Sequence, residues 1–338
     1  HEHMPSLISN YPGIVHLHDY VLQHLYAGIA NNKNDWEGYF KLIKKYYPAR
    51  IVERIQDSFT RGFSYWERGE VLDCPLNAEA INKGYGVIVH SKFAAKNVAK
   101  RTKTKPLAII NQAYNLGQYN KNRNKNEFTI GAFGHVQKNK CVLELVEALR
   151  DLPNIKKKVR LKLVGEAVDK AYLSEVEQAI SKVGDQISCE FTGFVNEEEF
   201  NRQINQVDLC VALRNPTMGE TSAVVVKAVQ VGTPVIVSDQ GWYSELPSCI
   251  PKIPVSSNLR KSLISELGKM INDDVYYRST TEDIHYYSEN QYNYEITIEL
   301  YKQVLDKMHR VRQQPSISID SIISDTLSKT FIDLELCK

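Results

Sequence analysis

The six cysteines (Cys74, Cys141, Cys189, Cys210, Cys249 and Cys337) stand singly, with no paired spacing. That excludes a disulfide framework or a zinc knuckle as the basis of the fold, and it suits a reducing cytoplasm. No apolar run approaches the roughly 20 residues of a membrane-spanning helix, and no internal repeat marks a solenoid. The basic residues form no nucleic-acid recognition motif, so nucleic acid is not expected as a partner.

With 338 residues, 43% of them hydrophobic, the chain can bury one large core or two medium ones. Net charge is only +2, but it is unevenly spread. Residues 1–126 hold 18 Lys or Arg against 10 Asp or Glu, and the remainder 24 against 30. A basic half joined to an acidic half directs the first toward something anionic, a membrane surface or a lipid diphosphate, unless it is simply a solvated face.

Helical spacing around residues 4–9 precedes a buried strand running into a loop over residues 11–20, and then a helix through His24 and Leu25. It recurs around residues 39–47 and 52–59. Residues 87–91 and 107–111 read as short strands on either side of a Lys-rich helix from Lys92 to about Arg101. The polar run 118–126 has no apolar periodicity and reads as an interdomain linker. Beyond it, strands at 128–133, 159–164, 187–192 and 207–213 alternate with helices at 141–149, 171–183 and 197–205. That alternation means βαβ units and a parallel sheet, with ligands outside the carboxyl ends of its strands. Residues 259–271 lead to a long helix at about 294–310, and Ile322, Ile323, Leu327, Phe331 and Leu334 mark one face of a tail helix.

The stretch from Arg214 to Pro247 carries the chemistry. It reads as a loop, a helix, a tight turn and a strand at 235–237. Thr221 and Ser222 are good N-cap residues, Gly232 sits where a helix stops, and Pro234 forbids its continuation. Val224, Val225 and Val226 favour strand, but the capping signals at both ends decide for helix. The front of that helix offers N–H groups and a positive dipole end to a phosphate. Arg214 can hold an anion there and Glu220 can accept hydroxyl hydrogen bonds. An ordinary capped helix with a surface Arg and Glu fits the same residues.

This segment resembles the donor-binding motif of GT-B glycosyltransferases of family 4, the retaining group 1 transferases, in a bacterial polysaccharide-type branch. Lys227-Ala228 and Gly232-Thr233-Pro234 are in register with the end of that motif. The chain departs from it twice: Lys227 replaces the Glu that holds the nucleotide ribose, and the first Glu falls on Gly219, with Glu220 one place later. The run from Gly134 to Lys140 resembles the family's Gly-Arg-Leu-x-x-x-Lys turn, with Lys140 on the lysine that grips the donor diphosphate and His135 in place of the arginine. Arg214 is then the candidate to supply the missing charge. Gly193-Phe194-Val195 resembles the turn on which the nucleobase rests, and Pro12 to His18 matches the strand ending in the histidine that faces the donor sugar. Read locally, His16, His18 and Asp19 suggest a metal site, since His at i and i+2 of a strand share a side. No second ligand set with matching spacing is visible.

The resemblance implies an α/β fold of GT-B type, two Rossmann-like domains facing across a cleft, the N-terminal one truncated by about 80 residues. It places a partial acceptor-side domain at 1–117, a linker at 118–126, a nucleotide-sugar domain at 127–285, cross-over helices at 286–310 and a tail helix at 311–338. The activity implied is retaining hexosyl transfer from a nucleotide-diphosphate sugar to a glycan or lipid-linked glycan, in the cytoplasm and peripheral to the inner membrane face. Expected catalytic residues are His18, Glu220, Lys140 and Arg214; expected donor-binding residues are Gly134, His135, Phe194, Gly219, Thr221, Ser222 and Lys227. No metal or other cofactor is expected, in keeping with the lack of an Asp-x-Asp pair. Two other readings stand beside this one. Lys227 and His135 favour a catalytically impaired binding or scaffold subunit, and His16, His18 and Asp19 a metal-dependent hydrolase.

Overall fold

The computed structural model describes residues 2–65, 69–101, 105–116 and 126–313. The expected linker at 118–126 lies outside them except for Asn126, and the expected tail helix at 311–338 except for residues 311–313. The chain divides into two units.

Among the described residues, the first unit takes in those up to Asn111, the loop Pro216–Thr221 and residues 295–313. Its elements begin with α1 (Met4–Asn10), β1 (Ile14–His16), α2 (Gln23–Lys33), α3 (Trp36–Tyr46) and α4 (Ala49–Thr60). They continue with α5 (Ala78–Lys83), β2 (Gly86–Val89), α6 (Lys92–Ala99) and β3 (Leu107–Ile109). Short polar side chains start two of the helices: Asp35 accepts from the Gly38 N–H at 2.8 Å ahead of α3, and Ser91 from the Ala94 N–H at 3.0 Å ahead of α6. The three strands are parallel in the order β1-β2-β3. Central β2 reads Gly-Val-Ile-Val with every residue buried, as a strand covered on both faces must be. Helices α3 and α4 add Tyr39, Ile43, Ile51 and Ile55 to the core.

The second unit comprises Gln112–Asn215 and Ser222–Tyr294. In order it contains β4 (Glu127–Phe133), α7 (Val142–Arg150), β5 (Lys158–Val164), α8 (Lys170–Ile180), β6 (Ile187–Gly193) and α9 (Glu197–Gln206). Then come β7 (Leu209–Ala212), α10 (Ala223–Gln230), β8 (Val235–Ser238), β9 (Lys252–Ile253), α11 (Leu259–Asn272) and α12 (Asp274–Gln291). All six strands are parallel, in the order β6-β5-β4-β7-β8-β9. The winding therefore runs outward in both directions from β4, and the topological switch point lies between β4 and β7. The last described helix, α13 (Tyr294–Gln313), belongs to the first unit from Glu295 on, where Val304 and Met308 pack with Ile88, Ala108 and Ile110.

The β-branched run at 224–226 is helical in the structure. Ser222 caps α10 by accepting from the Val225 N–H at 3.4 Å, and Gly232 takes the left-handed conformation just past its end. Strand β7 is shorter than the expected 207–213. Helix α12 was not legible in outline, because its buried stripe is Thr280, Ile284 and Ser288, two of them polar. No helix among the described residues is long and apolar enough to cross a membrane.

Leu161, with no exposed surface on interior β5, sets the scale for core packing. Leu161→Ala is expected to cost about 2–5 kcal/mol of unfolding free energy. Phe194→Ala, at a side chain 80% exposed, should shift it by less than about 0.5 kcal/mol; urea denaturation of the two variants checks the contrast.

Candidate functional site

At the carboxyl end of β4 the chain turns at Gly134, whose φ is +91°. A Cβ on this residue would fall on the Lys140 ammonium, so glycine is what lets that lysine fold back over the strand end. Lys140 Nζ donates to the Phe133 carbonyl at 3.2 Å. Left-handed Cys141 then separates the short 3-10 turn Lys138–Lys140 from α7. At the end of β7, the Arg214 N–H donates to Ser238 Oγ at 2.8 Å, and its guanidinium to the Leu213 carbonyl at 3.2 Å. The Arg214 carbonyl accepts from the Gln240 side chain. One residue on, the Asn215 N–H donates to the Asn139 carbonyl at 2.8 Å, tying the turn after β7 to the turn after β4.

These two turns and the start of α10 line one pocket. Lys140, Arg214, His135 and Ser222 stand in its wall, and none of its lining residues is acidic. It lies at the switch point, where parallel α/β sheets bind ligands. Two cationic side chains and the positive end of a helix dipole give it the charge that attracts an anion. The structure thus brings together Lys140, Arg214, Gly134, His135 and Ser222.

Other expected donor-site residues do not line this pocket. Gly219, Glu220 and Thr221 belong to the first unit. The buried Glu220 carboxylate accepts from the Met218 N–H at 2.6 Å and the Thr217 hydroxyl at 3.0 Å, so it organises its own loop. Gly219, at φ +68°, has no room for a Cβ beside Tyr20 and Phe93. Phe194 is exposed on the turn after β6. Lys227 is buried on α10, with its ammonium 3.0 Å from Glu197 Oε1 and 4.9 Å from the centre of the Tyr114 ring. The carboxylate presented at that corner is Glu197, at the first position of α9. A pairing across 30 positions has no periodic signal, and the only hint in the chain is the Glu197-Glu198-Glu199 run after a helix-capping Asn196.

The first unit holds a separate cluster at the carboxyl ends of its strands. His16 ends β1, His18 follows two residues later, and His90 comes directly after β2. Nε2 of His16 lies 2.9 Å from Nε2 of His90, and Nδ1 of His18 lies 3.2 Å from the same His90 nitrogen. Burial pushes the pKa of His90 down to about 3 and that of His16 to about 4, with the neighbouring imidazoles adding to both; burial also lowers His18. Asp19, the expected third member, is not in the group. His90 takes that place because strand pairing, rather than chain proximity, brings it in.

Removing the Glu220 carboxylate strands two inward-facing donors. Glu220→Ala is expected to lower stability by about 1–3 kcal/mol, with Glu220→Gln retaining part of it; thermal melts of the two variants against wild type measure this.

Residues 118–247 match the family described as "Glycosyl transferases group 1". No curated protein matches the sequence. Among solved structures, the chain is similar to Anabaena HepE in complex with UDP-glucose, at 15% identity over 90% of this chain and 74% of that one, with a TM-score of 0.59. It is also similar to the sucrose-phosphate synthase of Thermosynechococcus elongatus, at 19% identity, TM-score 0.58, over 70% and 61% of the two chains. A third likeness is to WaaG, a glycosyltransferase involved in lipopolysaccharide biosynthesis, at 15% identity, TM-score 0.55, over 76% and 72%. At these identities the likeness is one of fold: the chain has the GT-B type of α/β fold, two Rossmann-like units built on parallel sheets, and its segment 118–247 is similar to the group 1 glycosyl transferases.

Proposed function

We propose that the protein is a retaining glycosyltransferase that moves a hexosyl group from a nucleotide-diphosphate sugar to a glycan or lipid-linked glycan. The observation that carries this reading is the meeting of Lys140, Arg214 and the N-terminus of α10 in one pocket at the switch point. The match of residues 118–247 and the fold shared with a protein solved with UDP-glucose support it.

In the transfer, the bond between the anomeric carbon and the β-phosphate oxygen breaks, and its electron pair leaves on the diphosphate. Lys140, Arg214 and the α10 amides stabilise that charge as it develops, which side chains and a dipole do without a bound metal. The acceptor hydroxyl attacks the same face of the sugar and passes its proton to the departing phosphate oxygen. His18 has the sugar-positioning role that the family resemblance implies, which is work against entropy, while Glu220 shapes the loop at 217–220 from within. With Lys227 drawn into a pair with Glu197, the ribose hydroxyls fall to the Glu197 carboxylate, and exposed Phe194 offers a ring to the base. The excess of Lys and Arg in residues 1–126 suits an acceptor held at an anionic membrane surface on the cytoplasmic side.

Calorimetry with UDP and GDP tests the pocket directly. Lys140→Ala and Arg214→Ala should each weaken nucleotide binding and lower turnover about 10²–10³-fold; wild-type rates in both would end the proposal. Glu197→Ala should weaken UDP binding about tenfold, the worth of a hydrogen bond to a charged group, while leaving inorganic pyrophosphate binding unchanged. Screening a donor library by mass spectrometry, then assigning the product anomer by NMR, identifies the sugar and tests retention.

A further inference from the structure

The histidine cluster of the first unit has no task in binding the diphosphate, and its geometry is that of a ligand set. His16 ends β1 and His18 follows in the loop two residues later, where the two rings come together. The parallel register that sets His16 opposite Ile88 brings His90, two residues beyond Ile88, up to both rings. Ring centroids are 4.2 Å apart for His16 and His18, 4.7 Å for His16 and His90, and 4.9 Å for His18 and His90.

Hydrogen-bond accounting fixes one of the three rings. Nδ1 of His90 lies 2.7 Å from the Ile110 carbonyl, an acceptor only, so Nδ1 carries the hydrogen. In the neutral ring Nε2 then keeps its lone pair, and it points at His16 Nε2 and His18 Nδ1 together. One lone pair accepts one N–H well, yet two ring nitrogens converge on it. A cation takes a lone pair from each of the three at once. A backbone carbonyl holding the far nitrogen of an imidazole is also the support that metal-bound histidines commonly have.

We propose that His16, His18 and His90 form a binding site for a divalent transition-metal ion of the zinc type, with the Tyr301 hydroxyl beside it. The three ligand nitrogens lie within 4.8 Å of one another. Tetrahedral coordination at about 2.0–2.1 Å sets nitrogens about 3.3 Å apart, so closing on an ion takes shifts of an ångström or so. An all-imidazole set selects zinc, copper or nickel over magnesium or calcium, which prefer oxygen. The Tyr301 hydroxyl, 2.9 Å from His16 Nε2, stands where a fourth ligand or a bound water would be steadied. The ligands come from both sides of the sheet's first strand pair, so an ion would also cross-link β1 to β2.

The test reads binding and needs no turnover. Full-length protein, stripped with a chelator and dialysed, is titrated with Zn²⁺ by calorimetry and with Co²⁺ by visible absorption. The expected result is one saturable equivalent per chain, an intense tetrahedral Co²⁺ spectrum and a raised melting temperature with Zn²⁺. His16→Gln and His90→Gln should each weaken binding at least about tenfold, with metal-free melts showing that both variants fold. His3→Gln, which alters a histidine outside the cluster, should leave it unchanged. Absence of saturable uptake, or uptake equal in wild type and in both cluster variants, overturns the proposal.

Discussion

Two cations facing one pocket repel each other, and the architecture around the switch point is what keeps them there. The Lys140 ammonium is held by the carbonyl of Phe133 and the Arg214 guanidinium by that of Leu213, while Ser238 and Gln240 hold the Arg214 backbone. The Asn215–Asn139 bond joins the two turns into one frame. Positive charge fixed in this way needs no reorganisation when an anion arrives, which is why such sites stabilise charge more effectively than mobile lysines in water. The parallel sheet supplies the frame. Strands β4 and β7 are neighbours but not consecutive, and the pocket lies at this switch point, where parallel α/β sheets bind ligands.

The same logic runs through the departures from the family pattern. Lys227 stands where a carboxylate is expected, yet it is buried against Tyr114 and paired with Glu197, so a carboxylate still faces that corner from another helix. Glu220 keeps its acidic character but spends it on the Met218 amide and the Thr217 hydroxyl. A residue's type at a motif position is therefore a weaker guide than the groups that hold its side chain.

Much of the second unit was legible in the chain because its signals are local. Alternating apolar segments, the Ser222 cap and the Gly232-Thr233-Pro234 stop each act within a few residues, and the structure places β4 through α10 close to those limits. Lys140 and Arg214 could be picked out for the same reason: each lies in the turn between a strand and the next helix. What escaped was long-range. Ser238 under Arg214, Glu197 beside Lys227 and His90 beside His16 are joined by packing across 24, 30 and 74 positions, and nothing periodic announces such pairs. Helix α12 escaped for the opposite reason, since its buried face is too polar to show a stripe.

The first unit is assembled from three separated stretches of chain. Its Val21 amide donates to the Met218 carbonyl, and Ile88 and Ala108 lie against Val304 and Met308 of α13. On the ribosome, where domains form as the chain emerges, one part of this unit appears before the second unit and another, α13, after it. Its sheet must wait with one face bare through the synthesis of the entire second unit, a long interval in which a chaperone has something apolar to hold.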